Sequence, residues 1–176
     1  MDNDTAATTP DTAASAGGKY LTFALGNEGY GLEILMVREI IKYMDITHVP
    51  RTPEYVRGVI NLRGQVISVV DLRAKFSMPS AEATDETCII VVECGGKDGQ
   101  PKVTTGVIVD RVSEVLSIAD EQIEPAPPLG SGVRGDYILG MGKVGQQVKI
   151  LLDIDRVLDG GLAAEAATGD PFAEAA

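Results

Sequence analysis

The segment Gly31-Leu-Glu-Ile-Leu-Met-Val37-Arg-Glu39-Ile40 returns 75 residues later as Gly106-Val-Ile-Val-Asp-Arg-Val112-Ser-Glu114-Val115. Pro50 and Pro125 keep that spacing. From Tyr55 onward the spacing lengthens to 82 and holds through Gly58/Gly140, Gln65/Gln147, Val66/Val148 and Asp71/Asp153. Two blocks recurring in the same order mark two related halves. A chain of 176 residues has room for two small units packed together, and its 44% hydrophobic content is that of a globular protein. With eight aromatic residues and no tryptophan, the core is expected to be built from Val, Ile and Leu.

Within each half the apolar runs are short and punctuated by turn residues. Lys19–Leu25 and Tyr30–Glu33 flank Gly26-Asn27-Glu28-Gly29; Val56–Asn61 and Val66–Asp71 flank Asn61-Leu62-Arg63-Gly64. The latter turn reads as type I, with Asn first and Gly fourth. Cys88–Cys94 and Val103–Val109 flank a glycine-rich loop, and Ile138–Val144 and Val148–Leu152 flank Gly145-Gln146. Short helices are predicted over Ile34–Glu39, Pro53–Val56, Leu72–Phe76 and Ile154–Leu158. Many short strands with Gly and Pro turns indicate small β-barrels or a sandwich. With the repeat, the expectation is two small barrels sharing an interface, an arrangement that leaves room for strands to be exchanged between them.

Catalytic chemistry finds little support. One histidine, His48 in Ile46-Thr-His-Val-Pro50, would have to carry any histidine-based metal or triad arrangement, and it reads as a structural strand-edge residue. Cys88 and Cys94 lack CxxC spacing and, in an extended run, stand about 20 Å apart, too far to bridge. Asp153 sits where a strand yields to a helix, which fits a cap. Gly140-Met-Gly142-Lys-Val-Gly145 matches G-x-G-x-x-G, but a dinucleotide site needs a helix next, and a strand-like run follows. No metal or cofactor is implied.

Two features suggest binding. Arg63 stands at a hairpin tip, where its guanidinium could meet carboxylates or carbonyls of a partner. Ile34-Leu35-Met36-Val37 puts four apolar side chains in one turn, which cannot all face one way. The segment is either wedged between two units or partly exposed to a partner.

The runs Tyr30-Gly31-Leu32-Glu33-Ile34…Val37-Arg38-Glu39-Ile40, Gly58-Val59-Ile60-Asn61-Leu62-Arg63-Gly64…Val69-Val70-Asp71-Leu72-Arg73 and Gly106…Val109-Asp110-Arg111-Val112-Ser113-Glu114-Val115 resemble CheW, the bacterial chemotaxis adaptor family. The resemblance covers roughly 19–160. It implies an all-β fold of two five-stranded, SH3-like barrels packed on a shared apolar core, with a few short helices. The halves would be 19–80 and 86–158, between an acidic disordered tail at 1–18 and a flexible or frayed helical tail at 161–176. It further implies a non-catalytic adaptor whose partners are the regulatory domain of a CheA-type histidine kinase and the helical cytoplasmic tip of a chemoreceptor. By position, Val37, Glu39, Gly58, Arg63 and Val112 match family residues tied to receptor or kinase coupling, and Ile34 would add apolar surface. Cys88 stands where the family commonly has a β-branched residue, and the 95–102 loop is longer than the resemblance implies. A similar adaptor of a motility or developmental array would share all of this.

Charge fits that reading. The formal net charge is −11, against a nucleic-acid or anionic-membrane surface. Seven of those negative charges lie in the tails, while 38–75 is locally +3. With no signal-like start and no apolar run of spanning length, the chain is expected in the cytoplasm, recruited to membrane-associated receptor arrays.

Overall fold

The structure, a computed structural model, describes residues 17–95, 101–125 and 137–158. The expectations for most of both tails, and for much of the 95–102 loop, lie outside the described residues. In chain order the elements are β1 (Gly18–Leu25), β2 (Glu28–Glu33), a 3-10 turn (Ile34–Met36), β3 (Val37–Lys42), β4 (Val56–Leu62) and β5 (Gln65–Asp71). Then follow α1 (Leu72–Lys75), β6 (Cys88–Gly95), β7 (Lys102–Val109), β8 (Arg111–Ile118), a 3-10 turn (Asp120–Gln122), β9 (Ile123–Glu124), β10 (Ile138–Val144), β11 (Gln147–Leu152) and α2 (Ile154–Leu158).

These strands form two sheets. The first has the order β9-β10-β11-β2-β1-β8 and the second β3-β6-β7-β5-β4. Each sheet takes one hairpin from the other half of the chain: β1–β2 lies among second-half strands, and β6–β7 lies among first-half strands. Both inserted hairpins dock through a parallel pair whose register obeys the repeat. Gly31 faces Leu151 and Gly106 faces Val69. A Cβ at these glycines would come within 2.9 Å of the Leu151 side chain in one case and 2.7 Å of the Ile89 side chain in the other, so those buried side chains would have to shift. The repeat is also written in backbone bonds: the Asp71 N–H donates to Tyr55 O at 2.8 Å, and the Asp153 N–H donates to Tyr137 O at 2.8 Å.

In both sheets the chain leaves one edge strand and returns on the opposite edge, the connectivity that a barrel requires. After β3, Thr47 and Val59 of β4 exchange backbone bonds of 2.9 Å each. After β8, Ile123 and Glu124 of β9 pair with Gly142 and Met141.

Alternation along the strands sends side chains into three clusters. Ile60, Ile67, Val69, Ile89, Val91 and Ile108 fill the inside of the second sheet, and Tyr20, Ile118 and Leu151 that of the first. The opposite faces meet in a shared core that includes Phe23, Leu32, Val70, Ile90, Val107 and Leu152. That shared core is not purely aliphatic, contrary to the composition argument. Phe23, Tyr30, Phe76 and Tyr137 run through it as a row with centroid spacings of 5.7, 6.0 and 6.1 Å. Lys75 Nζ sits 4.0 Å over the Tyr55 ring and 5.5 Å from that of Tyr137, joining the two repeat-related tyrosines. Few aromatic residues therefore suffice, because they are concentrated where the halves meet.

Three local readings are corrected. The Ile34–Glu39 helix is only the three-residue turn Ile34–Met36, after which Val37 opens an edge strand. Its β-branched residues pair with β6, Ile40 opposite Ile90 and Ile41 opposite Ile89. Pro53–Val56 is a turn closed by Val56 N–H to Pro53 O, 2.9 Å. The hairpin tip is a two-residue loop with Leu62 opposite Gln65. Arg63 and Gly64 both have positive φ, 52° and 88°, as in type I′ rather than type I. Asn61 Oδ1 accepts the Gly64 N–H at 2.8 Å.

Candidate functional site

The site residues start from the edge strand β3. Its alternation leaves Arg38, Ile40 and Lys42 exposed and Val37, Glu39 and Ile41 half-buried. Val37 faces Val92 across the pair and packs on the shared core, as do Ile34 and Met36. Leu35, between them, is 94% exposed. The four-residue apolar run thus divides: three side chains wedge against the junction of the halves and one projects into solvent. Ile40, Tyr43 and Met44 add further exposed apolar surface along the same segment.

Arg63 and Glu39, 24 residues apart, are joined in an ion pair from Arg63 Nη2 to Glu39 Oε2. The β4–β5 hairpin tip therefore folds toward β3. The left-handed backbone at Arg63 costs roughly 1–3 kcal/mol for a residue with a Cβ. The Arg63 side chain is 68% exposed, so the pair contributes at most about 1 kcal/mol and remains open to exchange with a partner's groups. From the preceding position of β3, Arg38 Nη1 lies 2.9 Å from Glu93 Oε2.

Val112 comes from the other sheet. It faces Phe23 of β1 and packs on the same shared core as its repeat mate Val37. Gly58 is different in kind: it is buried and has no side chain to offer. Its φ is +145°, and a Cβ would lie 2.0 Å from Thr47 O. It marks where the segment after β3 crosses β4.

Sequence reasoning missed the charged cluster at the end of β5. Asp71, 4% exposed, accepts the Arg73 N–H at 3.0 Å as the cap of α1 and pairs with Arg57 at 2.6 Å. Arg73 binds Asp110 through Nε to Oδ1 at 2.9 Å and Nη2 to Oδ2 at 2.6 Å. The hydrogen-bonded Arg73 holds the Asp110 carboxyl below its usual range despite partial burial, and Arg73 is pushed up in turn. Both residues stood inside the family-like motifs, but their pairing across 37 positions had no sequence signal.

Among the described residues no group of three or more His, Cys, Asp and Glu could hold a metal. His48 is exposed, and Cys88 and Cys94 are not joined in a disulfide. The GxGxxG pattern lies on β10 and its turn into β11, strand to strand. No helix of the described residues is long and apolar enough to cross a membrane.

The profile of the CheW-like domain matches residues 19–161. The chain belongs to the CheW family. A chemotaxis protein CheW of Klebsiella aerogenes is 39% identical over 144 residues, 82% of this chain and 83% of that protein. Protein FrzA of Myxococcus xanthus is 30% identical over 155 residues, covering 85% of this chain and 92% of its own. The crystal structure of the scaffolding protein TtCheW from Thermoanaerobacter tengcongensis superposes with a TM-score of 0.72 at 34% identity, spanning 81% of this chain and 88% of that one. The two exchanged sheets are thus a CheW scaffold, and the chain's role is that of a chemotaxis adaptor.

Proposed function

We propose that this CheW-family adaptor couples the cytoplasmic tips of chemoreceptors to the regulatory domain of a CheA-type histidine kinase. It does so in the cytoplasm, at membrane-associated arrays, without chemistry of its own. The observation that carries this reading is the segment Ile34–Glu39 with Arg63. It offers one fully projecting leucine, half-buried Ile34 and Val37 on the junction of the halves, and an exposed ion pair at the rim. A receptor tip is a helical hairpin, and its apolar stripe suits such a surface as a helix laid against apolar side chains with charges fixing its angle. Val112 supplies the matching apolar position from the other sheet, and Gly58 acts through the backbone that shapes the β4 edge.

The test is co-sedimentation of the full chain with a chemoreceptor cytoplasmic fragment and with the kinase regulatory domain, each alone and both together. Wild-type protein is expected in both binary complexes and in the ternary one. If it enters none of them, the coupling role is wrong.

A further inference from the structure

The repeat makes the two places where the chain crosses between sheets comparable residue by residue. The chain passes from the first sheet to the second at Ile34–Met36 and returns at Asp110, and each corner delivers one valine of the site, Val37 or Val112. At the 75-residue spacing Leu35 and Asp110 are counterparts, each two positions before its valine.

The two corners are held in opposite ways. Asp110 takes the two Arg73 bonds already described, and its Oδ2 also accepts the Gly26 N–H at 2.7 Å. Its own N–H donates to Ala24 O at 3.1 Å, and Arg73 Nη1 donates to Pro79 O at 2.7 Å. One arginine thereby ties together α1, the segment after it, the β1–β2 turn and the corner before Val112. At the other corner the counterpart of Asp110 is a 94% exposed leucine. The counterpart of Arg73 at the 82-residue spacing is Asp155 on α2, whose Oδ1 accepts the Gly95 N–H at 3.1 Å. Leucine and aspartate cannot make a fork-shaped ion pair, so these counterpart positions do not repeat the lock.

From this inequality, and resting on the coupling role proposed above, the geometry points to Arg73 as a positioning residue. Its grip on Asp110 presets the corner that carries Val112, whereas the Val37 corner is completed only when a receptor tip covers Leu35. The partner surface is then half preformed and half set by binding.

Amide hydrogen exchange on the full chain, free and bound to a chemoreceptor cytoplasmic fragment, tests this. Arg73→Lys keeps the charge but loses the fork. In the free protein it is expected to speed exchange at Arg111–Glu114 about tenfold, the loss of roughly one charge-assisted bond, and to leave Val37–Glu39 unchanged. Leu35→Ser is expected to leave free-protein exchange unchanged and to weaken receptor binding about tenfold, as the loss of one buried leucine implies. In wild type, binding should slow exchange at Leu35–Arg38 at least about fivefold more than at Arg111–Glu114. Equal slowing at both corners, or no change at Arg111–Glu114 in Arg73→Lys, overturns the assignment. If wild-type protein binds no fragment, the coupling role fails, and the free-protein exchange of Arg73→Lys still decides whether Arg73 holds the Val112 corner.

Discussion

Gly58→Ala separates a partner contact from a backbone requirement. The substitution adds one methyl group at a position with φ +145°, 2.0 Å from Thr47 O, 2.7 Å from Thr47 C and 3.0 Å from Ile46 Cγ2. The nearest atoms are backbone, so no side-chain rotation relieves the clash. The strained backbone costs about 1–3 kcal/mol, and displacing Thr47 breaks its two 2.9 Å bonds with Val59 at about 0.5–1.5 kcal/mol each. The total is about 2–6 kcal/mol, which for a chain of this size lowers Tm by roughly 2–4 °C per kcal/mol, on the order of 10 °C. The assay is thermal unfolding followed by circular dichroism, paired with receptor-fragment binding measured well below the variant's Tm. A large fall in Tm with largely retained binding of the folded fraction is expected. If Tm stays within about 2 °C of wild type while binding is lost, the close-approach argument is wrong and Gly58 lies in the contact itself.

The surface and core charges should behave differently. Arg63→Glu places like charges together at an exposed tip, so denaturant stability should change by no more than about 1 kcal/mol while coupling to the partners weakens; unchanged coupling would remove Arg63 from the contact. Asp71→Ala removes the α1 cap and strands Arg57, at a cost of about 2–4 kcal/mol by urea titration, and a loss under about 0.5 kcal/mol would refute the role given to this buried carboxylate. Burial, with Glu33 and Asp120 nearby, raises the Tyr20 hydroxyl to about 12. The folded state therefore holds its proton where the unfolded chain loses it: stability is full below pH 10 and falls between pH 10 and about 12, by roughly 1.4 kcal/mol per unit. Tyr20→Phe should flatten the urea midpoint across that window, and parallel slopes for the two proteins would contradict the assignment.

Strand positions were legible because period-two alternation and turn residues act locally, and the hairpins at Val56–Asp71 and Ile138–Leu152 fall within a residue of their expected bounds. The repeat carried the longer-range information. Its counterpart positions reappear as matched parallel registers and matched Tyr–Asp backbone bonds. The edge strands β3 and β8 were harder to read. Their half-exposed alternation mixes apolar and charged residues, and Ile34-Leu-Met-Val imitates a helical turn where the chain merely changes sheets. The Arg63–Glu39 and Arg73–Asp110 pairs join positions 24 and 37 apart, and only the folded register brings them together. Arg63 was found as a projecting tip residue, but its left-handed backbone was not, since Asn61 and Gly64 also suit the commoner turn.

The most direct test of the central claim is kinase autophosphorylation with receptor fragment, with this protein, and with both. Coupling predicts that receptor-dependent control of the kinase appears only when receptor and this protein are present together, and that Arg63→Glu diminishes it. Receptor control of the same size with and without the protein would contradict the account.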